Sequence, residues 1–284
     1  MNRFRRSLAL LKTSWSVLRA ERQLLLMPVC SAGASVVALG LLAVAAYATL
    51  GEETGVDGTS QATANIGTVA IAIVGYLLIA FITVYFSAAL VAGANARLTG
   101  GDPTFGSSIA EANRRLPRIL GWSVVVATVS IVIDAIESRS DALGTIMASI
   151  FSAAWSVVTY LAIPIIVLED LGPIAALKRS GALLKQTWGE NIITNGGIGL
   201  IGIIVVFLPS LALVVLGIAS GTPFVAVPLI AIAVVWCLVG ATVLAALSGI
   251  ARTALYRYAV DGTVPTAFVG AGLEQAFATK PARR

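Results

Sequence analysis

Six long apolar runs, separated by short polar linkers, constrain this chain more than any other feature. They cover about residues 24–50, 66–96, 119–136, 143–168, 192–219 and 224–251. A run of about eighteen or more apolar residues can cross the hydrocarbon core of a bilayer as a helix. Lipid offers no partner to a free N–H or C=O, so each run must satisfy its backbone within itself. The chain therefore reads as an all-α integral membrane protein with six transmembrane helices. Its composition agrees, with 58% hydrophobic and 12% charged residues; soluble domains have roughly half and a quarter. The start is basic, and Ala46-Tyr47-Ala48 resembles a cleavage site. The first run is nevertheless much longer than a signal-peptide core of about 7–15 residues, so it is read as a retained span.

Charge sets the expected orientation. The N-terminal segment, the linkers after spans two, four and six, and the C-terminal tail hold eighteen of the nineteen Lys and Arg residues, and Arg139 is the exception. The first of the opposite linkers, "GEETGVDGTSQATAN", is acidic, and the last, "SGTP", carries no charge. The positive-inside rule then puts both termini in the cytoplasm of a multi-pass cell-membrane protein. The net charge of +5 is spread over short segments between spans rather than over one soluble basic face. Anionic lipid headgroups are thus the expected partners, together with a protein partner or a second copy, and nucleic acid is not.

A basic decapeptide occurs twice. "RSLALLKTSW" (6–15) and "RSGALLKQTW" (179–188) share seven of ten positions. On a helix, Phe4, Leu8, Leu11, Trp15 and Leu18 form one face, with Lys12 largely off it. Ile174, Leu177, Leu184 and Trp188 repeat that spacing, with Lys178, Arg179 and Lys185 on the other side. An apolar stripe, a basic side and a Trp describe a helix lying in the membrane interface. "SSIAEANRRLPRILGW" is a looser third version: Ile109, Leu116 and Leu120 are apolar, Arg114, Arg115 and Arg118 are basic, Trp122 closes it, and Pro117 ends or kinks the surface helix. Each version precedes a pair of spans. The chain thus reads as one membrane domain of three parallel units, about 3–100, 104–170 and 173–264, followed by a short cytoplasmic tail, 265–284. Each unit is an interfacial amphipathic helix plus a transmembrane hairpin. The candidate lipid-interface residues are Lys12, Trp15, Arg115, Arg118, Trp122, Arg179, Lys185 and Trp188.

"IPIIVLEDLGPIAALKRSGALLKQTWGEN" (163–191) and "DPTFGSSIAEANRRLPRILGW" (102–122) resemble a signature of a loose group of prokaryotic six-span membrane proteins. The group includes the membrane domain attached to some glycerophosphodiester phosphodiesterases. The chain most resembles a stand-alone family of unknown function, over nearly its whole length. The resemblance implies a fold and no activity. The catalytic part of such phosphodiesterases is a separate soluble barrel that uses His and acidic metal ligands, and nothing here corresponds to it.

Few residues offer chemistry. There is no His, hence neither the commonest general base nor the commonest metal ligand. Cys30 and Cys237 lie in apolar runs and form no CxxC motif, so they read as small buried hydrophobes. Glu169 and Asp170 end span four. They form a candidate ion or proton site, or else serve the next helix N-terminus and pair with Lys178 or Arg179. Asp134 closes span three near the outer interface and is the third polar candidate. Arg97 can snorkel from the end of span two. Ala88, Ala92 and Ala96 form a small-residue row suited to close helix approach. "NGGIGLIG" lacks the Lys-Ser/Thr ending of a phosphate loop. Trp155 and Trp236 read as packing residues. No cofactor is expected. A non-enzymatic membrane protein is the expected function, with a small-solute transporter or channel as the alternative. A lipid-acting enzyme would have to rest on Glu169, Asp170 or Asp134.

Overall fold

In the computed structural model, which describes residues 3–51, 66–138, 142–188 and 203–262, the described parts of the apolar runs are helical but for a break at 159–161, and no strand occurs among the described residues. Helix α1 is Arg3–Ala20. A 3₁₀ turn, Arg22–Leu25, leads into α2 (Leu26–Gly51), and α3 is Ile66–Leu98. Then follow α4 (Phe105–Arg114), α5 (Leu116–Ser138), α6 (Ala142–Val158), α7 (Ala162–Leu168) and α8 (Pro173–Trp188). A π-helical segment, Ile203–Phe207, runs into α9 (Leu208–Ala219), and α10 is Pro223–Asp261. Among the described residues, five segments are long and apolar enough to cross a membrane: Arg22–Ala48, Val69–Leu98, Leu116–Ser138, Gly144–Leu168 and Pro223–Asp261. The fifth expected span begins outside the described residues, and its described part, Ile204–Ala219, is a shorter apolar helix. The expected tail, 265–284, also lies outside them.

Side-chain contacts give the helix directions. Gly75 of α3 lies against Leu42 of α2, and Gly217 of α9 against Ala226 and Ile230 of α10. Trp122, early in α5, stacks on Trp155, late in α6, with centroids 6.1 Å apart and planes at 16°. Each of these pairs is an antiparallel hairpin. The second members of the hairpins, α3, α7 and α10, pack on one another. Leu90 meets Gly249, so α3 and α10 bring the same end to the contact. The short helices pack in a regular way: α4 on α3, α8 on α7 and α1 on α10. Each therefore rests on the second arm of the hairpin before it, and α1 closes the circle.

Proline explains the two irregular spans. Pro164 supplies no N–H to the carbonyl of Tyr160, and the helix breaks over residues 159–161 between α6 and α7. Ser180 of α8 enters this break. Its Oγ donates to the Val158 carbonyl (2.6 Å) and accepts from the Leu161 N–H (3.3 Å). Pro209 likewise leaves the Val205 carbonyl without its helical donor, and the Trp236 indole N–H serves it at 3.4 Å. Both repairs are what an apolar medium demands of a freed backbone group.

The core is lopsided. Fully buried apolar side chains concentrate in residues 17–27, 84–98, 112–122, 161–184 and 246–256, at the end where α3, α7 and α10 finish. Towards the other end, large apolar residues such as Val37, Leu41, Tyr47, Val74, Ile150 and Val235 are exposed.

Candidate functional site

The buried end carries a junction of charges built on two helix breaks. Thr104 and Ser107 open α4 as a capping box: the Ser107 N–H donates to Thr104 Oγ1 (3.0 Å), and the Thr104 N–H donates to Ser107 Oγ (2.9 Å). The helix stops at Arg114, because Pro117 suits the first turn of a new helix and not the interior of an old one. The break turns Arg115 and Arg118 towards the end of α7. There Asp170 adopts φ +58°, a left-handed conformation that a short polar side chain tolerates. Its carboxylate pairs with Arg115 (2.8 Å) and Arg118 (3.0 Å). Arg115 Nε donates to the Val167 carbonyl (3.3 Å), a cation placed where the helix dipole is negative.

Glu169 turns the other way, towards α8 and α10. It accepts from Arg179 Nε of α8 (3.3 and 3.4 Å) and from the Tyr256 hydroxyl of α10 (3.0 Å). Two adjacent carboxylates at the end of α7 thus bind the helices on both sides. Glu111 adds contacts to Arg114 (3.1 Å) and Arg115 (3.6 Å). At the ends of α3 and α10 two similar local pairs form, Arg97–Asp102 (2.9 Å) and Arg257–Asp261 (3.3 Å).

Of the residues singled out in the sequence, this junction brings together Arg115, Arg118, Arg179, Glu169 and Asp170. Glu169 and Asp170 take arginines as partners, and Asp170 turns to Arg115 and Arg118 rather than to the next helix. Lys12 and Lys185 are exposed and have no carboxylate within ion-pair distance among the described residues, and the same holds for Lys178. Trp15 is 42% exposed, with the Arg19 guanidinium 5.9 Å from its ring. The side of α1 that packs inward carries Ser14, Val17 and Leu18, so Trp15 leaves the stripe it was assigned to and faces outward. Trp122 needs a correction. It is 2% exposed and stacked on Trp155, so it is a core residue and not an interfacial one. Ser108, Ala112 and Ile119 are buried near it, while Leu120, assigned to the apolar stripe, is exposed: the inward face is one residue out of step with the expected stripe. The Trp188 side chain lies outside the described residues. Asp134 is exposed near the far end of α5 and accepts a hydrogen bond from Tyr76 of α3.

Sequence reasoning passed over Tyr256, Tyr160 and Arg252. The Arg252 guanidinium lies 4.9 Å from the Tyr160 ring centroid. The signal available was the spacing of Arg252 and Tyr256, four residues apart and hence on one helix face.

A family model described as a family of unknown function, DUF6159, matches residues 66–266. The chain belongs to the DUF6159 family. The match runs from α3 through α10 and takes in every residue of the charge junction. No curated protein matches this DUF6159 chain, and no solved structure does.

Proposed function

We propose that this DUF6159 protein is a non-enzymatic, multi-pass protein of the cell membrane whose basic cytoplasmic face grips anionic lipid. Six spans form three parallel units, each an interfacial helix followed by a hairpin, with both termini in the cytoplasm. The repeated decapeptide, the one-sided placement of Lys and Arg, and the way α1, α4 and α8 each rest on the preceding hairpin support this arrangement. The likeness of residues 163–191 to the membrane domains of phosphodiesterases belongs to the same reading, as shared architecture without their chemistry.

One observation carries the lipid reading: exposed lysines on the two decapeptide helices have no counter-charge among the described residues. Arg115, Arg118 and Arg179 are taken up by carboxylates of the chain, whereas Lys12, Lys178 and Lys185 are exposed on α1 and α8 without one among the described residues. Lys12 and Lys185 occupy the same place in the repeated decapeptide. A basic residue held near an anionic leaflet contributes about 1 kcal/mol of attraction. The test is native mass spectrometry of the extracted protein, counting retained phosphatidylglycerol. The K12E/K185E variant is expected to retain fewer copies. Equal retention by the variant and the wild type, with equal capture of any co-purifying protein, ends this reading.

Transport is the second reading, because span four is interrupted at residues 159–161, as substrate-binding helices of transporters are. Ser180 fills that interruption with its own hydroxyl, which favours a packing role for it.

A further inference from the structure

Arg252 stands on α10 one turn before Tyr256, with Ile250, Ala251 and Thr253 buried beside it. It is itself partly buried, and its Nε is buried without a hydrogen-bond partner. No carboxylate among the described residues forms an ion pair with it. Glu169 is occupied by Arg179 and Tyr256, and Asp261 by Arg257. The contrast with its neighbours is sharp, because Arg97, Arg114, Arg115, Arg118, Arg179 and Arg257 each have a carboxylate. An exposed lysine needs none, since water serves it. A partly buried guanidinium with a dry donor is costly until an anion meets it.

Depth points the same way. Helix α10 has 39 residues, and Arg252 lies about 44 Å along it from Pro223 at 1.5 Å per residue. A hydrocarbon core is about 30 Å thick, so a span starting near Pro223 places Arg252 at the level of the inner headgroups. The Tyr160 side chain holds the guanidinium in orientation through its ring and a hydrogen bond to its hydroxyl, and Nε is left without an acceptor.

We propose that Arg252 is an anion site: it takes a phosphate-type anion that supplies the missing negative charge and an acceptor for Nε. A lipid headgroup phosphate and free phosphate offer the same chemistry. The site deepens the inner-face reading above but does not depend on the lysines of α1 and α8. The test uses the full chain in micelles of dodecyl maltoside, which carries no phosphate, melted while either phosphatidylglycerol or inorganic phosphate is titrated. The wild type is expected to melt higher with the anion. R252Q is expected to need about ten-fold more anion for the same rise, and R252K an intermediate amount, because a guanidinium grips phosphate through a fork that lysine lacks. A response to phosphatidylglycerol alone identifies a headgroup, and a response to both identifies a free anion. The K12E/K185E variant keeps the rise, which separates this site from the lipid-gripping lysines. No rise in the wild type with either anion, an equal rise in R252Q, or a rise lost with the lysine pair overturns the proposal. If R252Q does not assemble, R252K decides alone, and wild-type affinity in R252K overturns the site.

Discussion

The two halves of this molecule are held by different means. At the end where α3, α7 and α10 finish, leucines, isoleucines and alanines interlock, and the carboxylates of Glu169 and Asp170 bind helices on both sides of α7. At the opposite end, the helix walls expose Val, Leu and Ile, and Tyr76–Asp134 is a polar tie between the first hairpin and the second. In water the second arrangement would be a liability. In a bilayer it costs nothing, because lipid tails solvate leucine as well as another helix does. Where no hydrophobic effect separates good packing from poor, close approach and polar pairing decide which end is rigid.

That contrast can be broken by substitutions ranked by effect. The largest effect is expected from Gly93→Leu. A β-carbon on Gly93 would stand 2.5 Å from Ser108 Oγ and 2.7 Å from Leu24 Cδ2, where α3, α4 and the 3₁₀ turn meet. Overpacking there is expected to cost about 3 kcal/mol, measured by detergent-titrated unfolding from mixed micelles. Gly33→Leu meets open space and is the control, expected within about 0.5 kcal/mol of wild type. Equal losses at the two glycines would erase the distinction between a packed region and an open one.

Asp170→Asn comes second. Asn tolerates the left-handed backbone, so the substitution removes charge and little else. It leaves Arg118 without a carboxylate and Arg115 with only its 3.6 Å contact to Glu111, at side-chain exposures of 37% and 26%. The expected loss is about 2 kcal/mol, less than for a fully buried pair because water reaches both arginines. The same unfolding assay reads it, and a double-mutant cycle with Arg118→Met isolates the pair. The smallest effect is expected from Asp134→Asn at the opposite end, under about 0.5 kcal/mol, since the site is exposed and Tyr76 can donate to an amide oxygen as well. A larger loss at Asp134 than at Asp170 would reverse the ranking of the two ends.

Much of this was legible in the sequence, for identifiable reasons. Charge gaps mark where helices end, so the limits of α3 and α5 fall within a few residues of the expected spans. The decapeptide marked α1 and α8, whose backbones run 3–20 and 173–188. Pro117 was read as a helix boundary, and it sits in the first turn of α5. The orientation of single side chains was harder to read. Adjacent stripes on a helix differ by only 100° per residue, so Trp15 and Trp122 were assigned to the same face while one points outward and the other is buried. Pairing of Asp170 with Arg115 and Arg118 joins segments far apart in the chain, and nothing local marks it. Arg252 looked like one more basic residue at the end of a span. Its missing counter-charge emerges only once every neighbouring acid has been assigned a partner.

Parallel units make one demand that a labelling measurement meets directly. With Cys30 and Cys237 replaced by Ala, single cysteines at Lys12, Asp102, Lys185, Ser138 and Gly221 can be challenged in intact cells with a membrane-impermeant maleimide. Three parallel hairpins clasped at the cytoplasmic end predict labelling of positions 138 and 221 from outside, and of positions 12, 102 and 185 only after permeabilisation. Labelling of position 102 or 185 in intact cells would contradict the arrangement, because it would put one unit upside down relative to the others.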